Sequence, residues 1–574
     1  MNIKDIVKQK ANERYPNNSY VHERINREIK FLDETDSTRI IETFFEIRNT
    51  IKENIFLNQA SFLTLYLLGF SYVNPMPAHY YNPNTKELIF DESKDYGIDL
   101  EGRQGYIRDG FNLNEEHIIS LGENIYFFSE IKNVHEDKVT NIIKNNYSIE
   151  FSTSRISHGQ GIFKLRSEEI IDVLNFKNVS IFFVKDIPKI NEIKNTYSLI
   201  DVDEFKRCTF GPYFRQNILN EIDSSVVRKA GEKSSFDFNI KTYKEFLCLS
   251  SYLETCKDIN KNKFTLDLDS MILPTTIEDV YNYLKTQKHS NKEAAQIENN
   301  IWNEKKLKFE CDNQTIKSYL ISINNYSFKS ELIQRNIGYY LSAKTEAQKI
   351  KNLEDDLFAR WKEKYELFVP DGVVDPVSYI SSWLKITFVL KEVNAKDSFE
   401  LLDFLRGGAV GSTWNNIARW SAGTIFSKKY EDVKELNSED RKEYLSPISV
   451  INLKKTPGGA RSKYKEIEKY AESDREFINK QLDIYKPDVI VCCGTGRAFQ
   501  NQILNTKEKD WIKESNDLWY MWYGGRLVIN TWHPQQSSKG RTNEYLFRQI
   551  PLVINKIINQ TPMFGDDANT QEIF

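Results

Sequence analysis

The sequence predicts an α/β protein whose last part, residues 376–561, forms a three-layer domain on a four-stranded parallel sheet. Three observations predict it. Four short β-rich runs, "WLKITFVL" (383–390), "PISVINL" (447–453), "PDVIVCC" (487–493) and "GRLVINT" (525–531), are nearly continuous in apolar residues, the mark of strands covered on both faces. Helix candidates separate them: "DSFELLDFL", "STWNNIARW", and a segment near 462–485. In that segment Ile467, Tyr470, Ala471, Ile478, Leu482 and Tyr485 recur at helical spacing until Lys486-Pro487 ends it. Turn signals bound each run, and strands alternating with helices imply a parallel sheet with helices on its faces.

The remaining segments follow from the same patterns. Residues 1–235 mix helical periodicity ("IIETFFEIRNTIKENIF") with strand-like runs ("ENIYFFSEIK", "NVSIFFVKDI") and read as an α/β or α+β accessory domain. Residues 236–375 are charged and mainly helical, closing on the Pro/Gly punctuation of "VPDGVVDPVSYI". Residues 562–574 read as a flexible tail. A chain of 574 residues suits about three domains at ~150 residues each.

Composition narrows the function classes. A net charge of −4 gives no global attraction to nucleic acid, so a DNA-binding face has to be a local patch. The start has no apolar signal region, and the longest apolar stretch, "SFLTLYLLGF", falls well short of the ~20 residues of a membrane span. A soluble cytoplasmic protein is expected. The six cysteines include no CxxC pair, so neither a zinc site nor a disulfide framework is indicated.

In open parallel sheets ligands bind at the carboxyl ends of the strands, so the residues just past each run are the ones to inspect. Lys391-Glu392-Val393-Asn394 follow the first run, Asn452 sits near the end of the second, Gly494-Thr495-Gly496 follow the third, and His533-Pro534 follow the fourth. A carboxylate, a carboxamide and an imidazole on one rim suit cleavage of a glycosidic bond to a nucleobase. The carboxylate stabilises an oxocarbenium-like sugar and orients a water. A neutral imidazole N–H stabilises the departing base anion, and an amide reads a pyrimidine edge with one donor and one acceptor.

These motifs, in this order, resemble the uracil-DNA glycosylase superfamily over residues 376–561. "TWHPQ" resembles that family's His-Pro-Ser motif, and "FVLKEVN" stands where the family has its water-activating motif. "VINLKKTPGGAR" resembles the base-reading strand and its Pro/Gly-rich sequel, and "GSTWNNIARW" is similar to the helix after the base-stacking loop. The resemblance implies Glu392 as the residue that orients the water, with Asn394 as a second candidate. It implies His533 as donor to the leaving base, and Asn452, with Trp414, as base-binding. Simpler readings stand beside these: Glu392 paired with Lys391, Asn452 closing a turn, Trp414 packing with Ile417 and Ala418, and "GTGRAF" as a tight strand-to-helix turn.

The sequence also departs from the family. Gln535 replaces its serine, and "QQSSKGR" lacks the apolar wedge that fills the gap left by a flipped base, leaving Gln536 or Arg541 as a polar plug. Cys492-Cys493 cannot supply the spacing of an iron–sulfur cluster, so no metal or other cofactor is expected. Lys454, Lys455, Arg461 and Lys463, with Gln535, Gln536, Lys539 and Arg541, are the expected contacts to the DNA backbone.

The expected activity is therefore a monofunctional DNA glycosylase acting on a flipped base in double- or single-stranded DNA and leaving an abasic site. Its base is uracil or, given the altered loop and the long extension, a modified pyrimidine such as hypermodified cytosine in phage DNA, an anti-phage role. Two alternatives belong to other classes. One is a metal-dependent nuclease built on Asp99, Glu130 and Lys132, the other a non-catalytic DNA-binding module. His79, in a Pro-rich turn, receives no assignment.

Overall fold

Asn2 and Asn18 begin the chain's first two helices by accepting the N–H groups of Lys4 and Val21, the capping that short polar side chains provide. The structure, a computed structural model, describes residues 2–122, 125–147, 152–155, 170–184, 201–209, 242–247, 276–304, 329–395, 397, 399–459, 462–506, 511–515, 517–535 and 542–560. They divide into two compact units, one within Met1–Lys206 and Ile218–Ser342, the other within Arg207–Asn217 and Ala343–Phe574. The boundary at Ser342 falls inside the long helix Lys329–Lys362.

The first unit is mixed α and β. Helices Ile3–Arg14, Ser19–Glu34 and Ser37–Ile51 bury Val7, Val21, Ile25, Ile41, Phe44 and Ile47 in one core. Strands β1 (His79–Tyr81), β2 (Leu88–Phe90) and β3 (Ile107–Asp109) form a small antiparallel sheet in the order β2-β1-β3. A second sheet holds β4 (Phe127–Lys132), β5 (Ser152–Arg155), β6 (Ile170–Phe176) and β7 (Val179–Val184) in the order β4-β7-β6-β5, with β4 parallel to β7. In β4 the residues Phe127, Ser129 and Ile131 are buried and their neighbours half-exposed, the period-2 pattern of a strand covered on one face.

The second unit is built on a seven-stranded sheet. Its strands are β8 (Gly372–Val373), β9 (Ile386–Leu390), β10 (Ile448–Asn452), β11 (Val489–Cys493), β12 (Ile512–Ser515), β13 (Leu518–Tyr523) and β14 (Arg526–Thr531), in the order β12-β13-β14-β11-β9-β10-β8. The four apolar runs supply β9, β10, β11 and β14, which are contiguous and mutually parallel. The sheet as a whole is mixed, which corrects the four-stranded expectation: β8, β12 and β13 add antiparallel pairings at its two sides.

Burial explains the apolar continuity of the four strands. On one face Phe388, Val450, Val491 and Ile529 pack with Ile417, Trp420, Leu445, Leu546 and Ile550 from helices Ser412–Ile425, Ser438–Leu445 and Asn543–Gln560. On the other, Val389, Ile451, Ile490 and Val528 pack with Trp361, Ile467, Ile478, Leu482 and Phe499. Helices thus cover both faces, giving three layers. Truncating such a residue, as in Ile451→Ala, costs about 2–5 kcal/mol.

Candidate functional site at the carboxyl edge of the parallel strands

Parallel strands end on the same side, so β9, β10, β11 and β14 bring their following residues to one edge. The pairing of β9 with β10 continues past the strands: Leu453 N donates to Leu390 O, Lys454 N to Lys391 O, and Gly458 N to Val393 O. The loop carrying Glu392 therefore runs beside the loop carrying Lys454. On the far side, Gly494 N donates to Thr531 O at 2.7 Å, and the Thr495 hydroxyl donates to Val389 O at 2.8 Å. This ties the turn after β11 to both neighbours.

His533 lies two residues past β14, beside that turn. Gly494 has φ +70, a left-handed conformation that favours glycine, and a Cβ there would stand 3.4 Å from His533 N. Pro534 O accepts from Asn416 Nδ2 at 2.7 Å, and the neighbouring Trp532 Nε1 donates to Asp517 Oδ1 at 2.7 Å. Burial, with the Lys391 charge nearby, lowers the imidazole's pKa to about 4, so it is neutral at pH 7. Gln535 N donates to His533 Nδ1 at 3.2 Å. A neutral ring that accepts at Nδ1 carries its proton on Nε2.

Glu392 is drawn toward β10. Lys454 Nζ lies 2.7 Å from its Oε2 and 2.8 Å from Glu466 Oε1, and the Glu392 side chain is only 5% exposed. Its carboxylate lies against Gly458, where any Cβ would collide with it, so the glycine gives the carboxylate its place. Asn394 is exposed and pairs through its backbone with Gly458. Asn452 is buried, its N–H and Nδ2 both donating to Asp371 Oδ2, at 2.6 and 3.2 Å. Among the described residues no hydrogen bond joins Glu392, Asn452 and His533 to one another; adjacent strands at about 4.8 Å put His533 roughly 10 Å along the edge from β9.

Several expected contacts are corrected. Lys455 is not a backbone clamp: it is fully buried, 2.6 Å from both oxygens of Asp371 and 3.1 Å from Gln481 Oε1, and lies over the Trp361 ring. Lys454 is nearly as buried, between its two glutamates. A buried ammonium requires such partners, which is why this basic stretch folds inward. Lys463 and Gln535 are exposed, while Arg461, Gln536, Lys539 and Arg541 lie outside the described residues. Trp414 is half-buried and packs on the core beneath its helix. Gly496 is closed off by the Asn530 side chain, so "GTGRAF" is a packed turn.

In the first unit, the Asp99 carboxylate accepts from Tyr243 N at 2.9 and 3.0 Å and pairs with Lys206 at 3.3 Å. Lys132 Nζ lies 3.1 Å from Glu53 Oε1, and Glu130 is half-buried on β4. Among the described residues no group of three His, Cys, Asp or Glu side chains is placed to hold a metal ion, and no helix is long and apolar enough to cross a membrane. His79 is buried, with Nδ1 2.7 Å from Pro77 O and Nε2 4.0 Å from Asp109.

Sequence reasoning missed Asp371, Asn416, Gln481 and Asp517, which hold the rim residues from behind. In the sequence Asp371-Gly372 reads as turn punctuation, and nothing local to Asn416 or Gln481 announces a buried amide. No protein-family model matches the chain and no curated protein matches it.

Proposed function

We propose that the carboxyl edge of the second unit receives a pyrimidine nucleotide flipped out of DNA and hydrolyses its N-glycosidic bond, leaving an abasic site. The observation that carries this is the state of His533: a neutral imidazole whose proton sits on Nε2, between Thr531, bonded to Gly494, and Pro534, bonded to Asn416. Such a group donates to a base oxygen as negative charge gathers there, without first having to lose a proton. Glu392, on the β9 side, orients the attacking water and faces the positive charge that develops on the sugar; Lys454 fixes its carboxylate. Asn452 reads the base edge. Extrusion of the nucleotide costs a few kcal/mol, offset by contacts in the site and to phosphates.

The substrate is uracil or, in keeping with the altered sequence after His533 and the large first unit, a hypermodified cytosine of phage DNA, with the first unit serving to hold DNA. The test is incubation with uracil-containing, unmodified and phage-modified DNA, scoring alkali-labile sites. Sites in modified DNA support the defence role, and sites in uracil DNA alone reduce the reading to uracil repair. Absence of sites in all three leaves a non-catalytic module. Strand breaks that require Mg²⁺ and vanish in Asp99→Ala would instead favour a nuclease.

A further inference from the structure

Lys391 is a cation at the carboxyl edge without an anion of its own. It follows β9 directly, and its carbonyl accepts from Lys454 N at 2.9 Å, so its backbone is fixed in the continued pairing of β9 with β10. The carboxylate next to it in the chain is taken: Glu392 pairs with Lys454 at 2.7 Å and lies against Gly458. Among the described residues no carboxylate stands within ion-pair distance of the Lys391 ammonium. The side chain is half-buried, and a cation partly withdrawn from water without a counter-ion favours the arrival of an anion.

Strand order sets this charge across from His533. β11 lies between β9 and β14, and its Cys492 pairs with Val389 on one side and Asn530 on the other. The three strands therefore end level, with Gly494-Thr495-Gly496 as the turn between Lys391 and His533. Thr495 is buried, its hydroxyl donating to Val389 O, and Gly494 has no side chain, so neither covers this strand end. The Lys391 charge acts on the imidazole: burial first, and then this charge, keeps the ring neutral. A cation and an Nε2–H donor flanking one strand end suit a group that becomes negative.

We propose that Lys391 is a further catalytic residue: its ammonium faces the departing pyrimidine from the β9 side and, with His533, stabilises the negative charge that the base acquires. This rests on hydrolysis of a flipped pyrimidine nucleotide as the activity of this edge. The C1′–N1 bond breaks with its electron pair passing to the base, and the oxygen of water bonds to C1′. The proton that the water loses passes by Glu392 to solvent, and the base takes one from solvent as it leaves. Lys391 keeps its own proton and acts by charge alone.

The test compares wild type with Lys391→Met, which removes the charge but keeps the apolar stem, and Lys391→Arg, which keeps the charge. In single turnover at saturating DNA, Lys391→Met is expected to release base about 10²-fold more slowly than wild type, and Lys391→Arg to recover about tenfold of that loss. DNA affinity and its salt dependence should stay near wild type. A rate near wild type in Lys391→Met overturns the proposal, and a salt slope lowered by about 1 would then place Lys391 on a phosphate instead. An equal loss of rate in Lys391→Arg also overturns it, since charge would not be what matters.

A second measurement needs no activity. The His533 ring, assigned by its loss in His533→Gln, should titrate at higher pH in Lys391→Met than in wild type, and as in wild type in Lys391→Arg. An unmoved midpoint overturns the proposal, because a charge that does not act on the ring is too far away to act on the base beside it. A raised midpoint with no base released by wild type from any DNA instead defeats the hydrolysis on which the proposal rests.

Discussion

The backbone N–H of Gln535 donates to Nδ1 of His533 at 3.2 Å, and this contact decides which ring nitrogen holds the proton. A turn two residues long, stiffened by Pro534, makes a histidine into an Nε2–H donor.

Removal of that donor should be costly for chemistry and cheap for binding. His533→Ala is expected to slow base release about 10²–10³-fold while leaving DNA affinity and its salt dependence near wild type. Single-turnover rates and binding isotherms at two salt concentrations measure the two effects separately.

The imidazole should titrate far below a free histidine. With a folded pKa of about 4 against the ordinary 6.5, the unfolded chain takes up this proton first as pH falls. The stability contributed by neutral His533 is present above about pH 6.5 and is lost as pH falls toward 4. An NMR titration of the ring, assigned by its loss in His533→Gln, should show a midpoint near 4 rather than near 6.5.

Gly494→Ala tests the support of His533. The positive φ of +70 makes a side chain strained there, and relief of that strain shifts the turn that packs beside His533. A stability loss of about 1–2 kcal/mol is expected, with a fall in the rate of base release and unchanged affinity for DNA. Thermal unfolding and single-turnover kinetics check it.

The basic loop should divide into inward and outward lysines. Lys463→Ala is expected to lower the slope of log K against log salt by about 1, whereas Lys455→Met leaves that slope unchanged. Equal effects would mean that Lys455 reaches solvent, contrary to its burial against Asp371.

Glu354 supplies a pH-dependent stability term. Burial pushes its carboxyl up to about 7, so the folded protein holds this proton where the unfolded chain has released it. Stability from this group is full below its unfolded pKa and declines as pH rises through 7. Glu354→Gln, which can retain the acceptor for Val373 N, should raise stability by about 1–2 kcal/mol at pH 8 and change it little at pH 4.5. Denaturant melts at the two pH values decide it.

Much of the second unit was legible because its signal is physical and local. Strands buried on both faces must be apolar throughout, so β9, β10, β11 and β14 announce themselves, and their parallel order places Glu392, Asn452 and His533 on one edge. The added strands were missed where that signal weakens: β8 has two residues and β12 is the polar "IKES". The β13–β14 hairpin had a readable cue in Gly524-Gly525, both at positive φ between β-forming runs. The lysines were misjudged for a different reason. Charge is visible in a sequence but its partner is not, and the anion that draws Lys455 inward, Asp371, lies 84 positions away.

Hydrolysis of the glycosidic bond by His533 and Glu392, as proposed, sets a pyrimidine free, and mass spectrometry detects that base itself. Wild type, Glu392→Gln and His533→Ala would each be incubated in chelator with uracil-containing, unmodified and phage-modified DNA. A free pyrimidine base is expected from wild type on at least one of these substrates, reduced about 10²-fold or more in both variants. Base release undiminished in the variants, or none from wild type on any of the three DNAs, would contradict it.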